Sequence, residues 1–254
     1  MNLRSYIETA RTERRKVTDE RHAFSWFYKR VQALSATTAE KRRSPRTLRK
    51  IEPIVSTSTP DSGLEAVERA YEETVMNVPH YEVEYGDTPR ESIATEFGEE
   101  VAVAITQSTQ LQPPIRQGIL DAVEQARNER KRFATVLDRE ISALADAYAA
   151  VDQISADLRR LNDRPLAEHS SGELSAVREK LDTLKRECDE LAADRQAELR
   201  RQQRSLSLPS ERPDIATYLY EEDERTYPIL ATVAELGSLI EETRARVDRA
   251  LISA

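Results

Sequence analysis

Apolar positions recur at three- and four-residue steps along most of this chain, and the places where the rhythm stops divide it into segments. In residues 1–36, Leu3, Ile7, Ala10, Val17, Phe24, Phe27, Val31 and Leu34 predict one helix beginning near residue 2, without Gly or Pro. Trp26 and Tyr28 thicken its second half, while its first half is more charged than apolar. Residues 37–62 break the rhythm at Thr37-Thr38, Ser44-Pro45, Pro53 and Ser56-Thr57-Ser58-Thr59-Pro60, and read as a linker. Residues 63–110 read as a cluster of short helices. Leu64, Val67, Tyr71 and Val75 stripe the first, over about 61–76, with Asp61 or Ser62 as its cap. A second piece covers 80–85 and stops at Gly86. A third opens at Asp87-Thr88-Pro89, with Ile93 and Phe97 inward, and Gly98 parts it from a last piece at 99–105. Residues 78–85 could instead form a strand, but no second strand is present to pair with it.

Residues 111–208 predict a helical hairpin. Pro113-Pro114 opens a helix that runs proline-free from 115 to 161. Its stripe is Ile119, Ala122, Ala126, Phe133, Leu137, Ile141, Leu144, Tyr148, Val151, Ile154, Leu158 and Leu161. Two consecutive four-residue steps at 133–141 mark a stutter. After a turn, Ser170 and Glu173 fit a capping box, and Leu174, Val177, Leu181, Leu184, Cys188, Leu191, Arg195 and Leu199 form a heptad seam that ends before Pro209. A short turn folds two such helices back antiparallel. Setting Leu174 against Leu161 then brings Val177 to Leu158, Leu181 to Ile154, Leu184 to Val151, and Arg195 to Glu140, where an ion pair is expected. Residues 209–225 read as a loop. Residues 226–254 read as a last helix, with Thr226 as cap, Pro228 in the first turn, and a stripe of Leu230, Val233, Leu236, Ile240, Val247 and Leu251. A straight helix over 115–161 would be roughly 75 Å long, against about 45 Å across a compact globule of this length. The expected fold is therefore all-α: an elongated helical bundle with a long antiparallel coiled-coil hairpin and a small cluster of short helices beside it.

Composition narrows the chemistry. The chain has 254 residues but only 6 Gly, 1 Cys and 2 Met. No phosphate-binding glycine loop occurs, and one Cys gives neither a disulfide nor a Cys-based zinc site. Five glycines fall at boundaries or early turns. Gly237 lies within the last helix, where it either permits close helix approach or is a tolerated weak point. No apolar run spans a membrane and no secretory signal is visible, so a cytoplasmic protein is expected. Charge is unevenly distributed: residues 1–50 hold 14 basic and 5 acidic residues, residues 51–110 hold 2 and 13. Arg outnumbers Lys 31 to 7 under 46 acids, a balance that suits a high-salt cytoplasm; a high-GC genome would give a similar excess of Arg.

Candidate chemistry is thin. His80, Tyr81 and Tyr85 form the most site-like cluster, because His titrates near neutral pH, but no second His stands at i+3 or i+4. The competing reading is a half-buried His packed between tyrosines. Cys188 falls on the heptad seam, as an inert buried thiol does. His22 and His169 are isolated, and acidic pairs such as Glu99–Glu100 and Glu221–Glu224 read as solvated faces. No catalytic set, metal site or cofactor is expected. Lys41, Arg42, Arg43, Arg46, Arg49 and Lys50 form a basic patch that could contact phosphates, but such contacts weaken steeply with salt. Packing on the acidic block, or plain solvation, competes with that reading.

The stretches Gly63-Leu64-Glu65-Ala66-Val67, Ala70-Tyr71-Glu72-Glu73-Thr74-Val75-Met76, Pro79-His80-Tyr81 and Glu84-Tyr85-Gly86 are distinctive. So are Thr217-Tyr218-Leu219-Tyr220 and Thr226-Tyr227-Pro228-Ile229-Leu230-Ala231-Thr232. Together they resemble an uncharacterised family of halophilic archaeal proteins defined only as a domain of unknown function, over nearly the whole chain. The resemblance implies a halophile and carries no activity or ligand. Tyr71, His80, Tyr81, Tyr85, Tyr218, Tyr220 and Tyr227 are a candidate interaction or structural cluster, in which the tyrosine-rich pieces at 71–85 and 218–227 are expected to touch. The functional expectation is a non-enzymatic protein–protein interaction or scaffold protein, its partner another protein or a second copy. A nucleic-acid-associated regulator using residues 1–50 is the alternative, and an enzyme centred on His80, Tyr81 and Tyr85 a third.

Overall fold

The computed structural model describes residues 3–34, 63–108, 110–205 and 214–253. Among these the chain is all-α, with nine helices and no strand: α1 Leu3–Ala33, α2 Gly63–Glu72, α3 Tyr81–Glu84, α4 Pro89–Phe97, α5 Glu99–Gln107, α6 Pro113–Asn162, α7 Ser171–Ser205, α8 Ile215–Tyr220 and α9 Pro228–Ser253. The expected linker and basic patch of Lys41, Arg42, Arg43, Arg46, Arg49 and Lys50 lie outside the described residues, as do the expected caps Asp61 and Ser62. The chain divides into two compact units: residues 15–134, and residues 1–14 with 135–254. The division runs through α1 and α6, so segments read separately along the sequence contribute jointly to one core.

In the unit of residues 15–134, Phe24, Phe27 and Val31 of α1 share a core with Ile119, Val123 and Ala126 of α6 and with Leu64, Val67 and Tyr71 of α2. Phe27 stacks on Phe97 with ring centroids 6.0 Å apart, and Tyr71 meets both rings edge-on at 5.3 and 5.7 Å. The Arg116 guanidinium donates to the Leu34 carbonyl at 2.9 Å, satisfying an acceptor just past the end of α1. α2 ends at Glu72, earlier than the stripe predicted. The Val75 and Met76 amides both turn back to the Tyr71 carbonyl, so Val75 stays buried without a continuing helix. α4 starts on a capping box in which the Glu91 amide donates to Thr88 and the Glu91 carboxylate accepts from the Thr88 backbone. It stops at Gly98, whose φ of 89° is a left-handed conformation that a side chain resists.

In the other unit α6 and α7 run antiparallel in the expected register: Lys180 pairs with Asp157 at 3.1 Å, and Arg195 holds Glu140 through two 2.8 Å bonds. The Ser170–Glu173 capping box is present, its carboxylate accepting from the Ser170 amide at 2.7 Å. The stutter resolves differently from the apolar pattern. Leu137, Glu140 and Leu144 are fully buried, whereas Phe133 and Ile141 are half-buried, so the seam steps through a carboxylate instead of the adjacent isoleucine. α9 lies antiparallel on α7, with Arg178 on Asp248 at 2.6 Å and Arg244 on Asp182 at 3.2 Å. The Tyr227 carbonyl, not that of Thr226, accepts the first bond of α9, from the Ala231 amide. At Gly237 an added Cβ would meet only the Lys185 side chain, at 4.0 Å. Close helix approach does not require that glycine.

Candidate functional site

The most polar constellation of the unit of residues 15–134 converges on Glu20, which is 12% exposed. One carboxylate oxygen accepts from His80 Nε2 at 3.0 Å and from the Tyr85 hydroxyl at 3.1 Å. The other accepts from Arg130 Nε at 3.1 Å. Arg130 reaches on to Glu96 with its NH2 group and lies over the Phe24 ring, 4.9 Å from its centroid. Beside this network the Tyr81 hydroxyl donates to Asp87 at 2.6 Å, and the hydroxyls of Tyr71 and Ser92 share a hydrogen bond of 2.8 Å. Glu20, Tyr71, Tyr81, Ser92 and Arg130 line a cavity of about 40 Å³. That is room for a few waters at most.

The local fold explains the convergence. Glu20 stands between Val17 and Phe24 on the buried face of α1, and Arg130 continues the line of Val123 and Ala126 on α6. The α3 turn is held by its own tyrosine, because Tyr81 is buried. Burial pushes the tyrosine hydroxyls above their ordinary range, reinforced by Asp87 at Tyr81 and by Glu20 at Tyr85. These phenols remain neutral donors and do not act as bases near neutral pH. Burial works to lower the Arg130 pKa, but Glu96 and Glu20 outweigh it, so the guanidinium is held more firmly charged than usual.

The expected tyrosine cluster divides between the units. Tyr71, His80, Tyr81 and Tyr85 belong to the unit just described. In the other, the Tyr218 hydroxyl donates to Glu13 at 2.6 Å, Tyr220 packs edge-on against Tyr6 at 5.1 Å, and Tyr227 donates to Asp214 at 3.0 Å. Asp214 also caps α8 by accepting from the Thr217 amide at 2.9 Å. Each group has partners within its own unit. Glu140 and Arg195 are 0% and 4% exposed. Cys188 is buried, and burial pushes its thiol pKa up, away from the reactive thiolate. His169 bonds to the Pro165 carbonyl within its turn. Glu99, Glu100 and residues 221–224 are exposed.

Sequence reasoning missed Glu20, Arg130, Glu96, Asp87 and Ser92. For the first two a signal existed: Val17, Glu20, Phe24, Phe27 and Val31 keep the three–four rhythm only if Glu20 is counted in it, and Arg130 fills the same gap after Ala126. Among the described residues no group of three or more His, Cys, Asp or Glu is arranged to hold a metal ion. No described helix is long and apolar enough to cross a membrane.

Residues 1–244 match the model of a domain of unknown function (DUF7260), and the chain belongs to that family. No curated protein matches the chain. No solved structure matches it.

Proposed function

We propose that this chain is a non-enzymatic protein–protein interaction or scaffold protein working in the cytoplasm of a halophile. The observation that carries this reading is the saturation of Glu20. The polar groups nearest to a catalytic set, His80, Tyr85 and Arg130, all bond to one carboxylate contributed by α1. They join helix to turn to helix and leave space for water, not for a substrate. The halophile element rests on 31 Arg against 7 Lys beneath 46 acids and on the family resemblance. The basic N-terminal helix supports the same reading, because its cations meet acids of their own unit: Arg14 pairs with Asp138 at 2.9 Å, Lys16 with Glu84, and Arg30 with Glu73.

Affinity purification of the full chain from native lysate in molar KCl tests the proposal. A protein recovered in fixed stoichiometry, the chain itself included, supports it. Recovery of nucleic acid alone overturns it in favour of a regulator acting through residues 1–50. Turnover of a substrate, lost when His80 is changed, overturns it in favour of an enzyme.

A further inference from the structure

Many surface charges on the α6–α7–α9 unit are paired along or between helices. Arg160 holds Asp157, Lys185 holds Asp189 four residues on, and Arg244 bridges to Asp182. One place differs. A groove of about 560 Å³ opens between the C-terminal part of α6 and the middle of α9. Leu158 and Leu236 form its floor, and Leu239 stands on its edge, 52% exposed in mid-helix. Four exposed charges rim it: Arg159 and Asp163 on one side, Glu242 and Arg246 on the other. Each couple has the i, i+4 spacing at which oppositely charged side chains pair along a helix. Yet none of the four has an ion-pair partner among the described residues.

Resting on the reading of the chain as an interaction protein, we infer that this groove is the interface for a second copy of the same chain. The three helices leave a leucine-floored groove open between α6 and α9, where a fourth helix would close the arrangement. The rim identifies the occupant. It carries two cations and two anions, so it is neutral and matches its own pattern when turned about a two-fold axis, with the cations of one copy against the anions of the other. A partner of one charge sign would be repelled by half of the rim. The exposed Leu239 supplies the apolar projection, and the floor of Leu158 and Leu236 supplies the surface that receives it. Burial of such a leucine at the centre of a polar rim is the usual anatomy of a protein interface.

Sedimentation equilibrium and light scattering on the full chain, in about 0.1 M KCl and in molar KCl, test the inference. The wild type is expected to be a dimer. Leu239→Glu should give monomer with unchanged helical circular dichroism, since Leu239 is exposed within its own chain. Glu242→Arg should weaken the dimer at least tenfold in the low-salt buffer, and reversing the whole rim (Arg159→Glu, Asp163→Arg, Glu242→Arg and Arg246→Glu together) should restore it, because both copies then carry the fully reversed pattern. A wild type that is monomeric in both buffers overturns the self-association. The wider reading then still stands or falls on the protein recovered from lysate. A dimer indifferent to Leu239→Glu and to the charge reversal also overturns the inference, because the contact would lie elsewhere.

Discussion

Both units place a carboxylate and a guanidinium on a helix seam, and they treat the pair differently. Glu140 and Arg195 are sealed, 0% and 4% exposed, and bind each other through two bonds of 2.8 Å. Glu20 and Arg130 are 12% and 18% exposed, touch through one 3.1 Å bond between them, and share their remaining capacity with His80, Tyr85 and Glu96 beside a cavity. A sealed pair costs much desolvation that its own short bonds must offset; a shared and partly wet one loses less when any one member goes. The first sets a register, because no other alignment of α6 and α7 gives both charges a partner. The second ties the turn around α3 to α1 and α6, which already share a core.

The largest effect should therefore come from breaking the sealed pair. Glu140→Leu alone, or Arg195→Leu alone, leaves one buried charge unpaired and is expected to cost about 3–5 kcal/mol. The double change to leucine should return to near wild-type stability, since both charges leave together. Urea unfolding followed by far-UV circular dichroism measures it. A single variant as stable as the wild type would show that water reaches the site. Glu20→Gln should cost less, about 1–3 kcal/mol, because Arg130 keeps Glu96. The chain's one tryptophan, Trp26, lies in the same unit as Glu20, so its fluorescence follows that transition. If Glu20→Gln proves the more damaging, sharing and hydration do not distinguish the two pairs.

This contrast also marks how far the sequence was legible. The hairpin register followed from apolar positions, because a one-step slip would move Leu174, Leu181, Leu184 and Leu199 out of the core, and the charge pair came with it. The α1–α6 pairing did not, because those helices are separated by most of residues 34–112 and no turn fixes their alignment. Glu20 accordingly looked like one charge among many in the charged half of α1. The division into units was hidden for the same reason: each of the two helices that it cuts shows one unbroken pattern. The tyrosines were visible as residues, but whether they share a neighbourhood depends on tertiary placement that composition does not encode.

Glycines extend the comparison at smaller cost. At Gly63, a Cβ would come within 2.8 Å of Leu111 Cβ, so Gly63→Ala should destabilise the unit of residues 15–134 by about 1–3 kcal/mol through overpacking. At Gly237 the nearest atom stands at 4.0 Å, on a flexible lysine. Gly237→Ala should stabilise α9 by about 0.5–1 kcal/mol from helix propensity alone. Thermal unfolding of the two variants should shift in opposite directions. A loss at Gly237 would mean that α7 and α9 are packed closer than the Lys185 contact indicates.

Each unit also has one capping box, and the smallest expected effect separates them. Glu173 accepts from the Ser170 backbone and hydroxyl and from Arg164 at 3.0 Å, contacts that together lower its pKa from 4.5 to about 2. Glu91 accepts from the Thr88 hydroxyl and backbone, which lower its pKa as well, without an arginine. A carboxylate depressed on folding stabilises the folded state above its unfolded pKa, and that contribution is lost as pH falls through the folded value. For Glu173 the loss should therefore run between about pH 4.5 and about pH 2, as fraying of the first turn of α7. Carboxyl carbon shifts of both residues followed by NMR across that range measure it. Arg164→Ala should raise the Glu173 midpoint and leave that of Glu91 unchanged. Equal movement of both would show that the overall charge of the chain, and not the local arginine, sets the difference between the two caps.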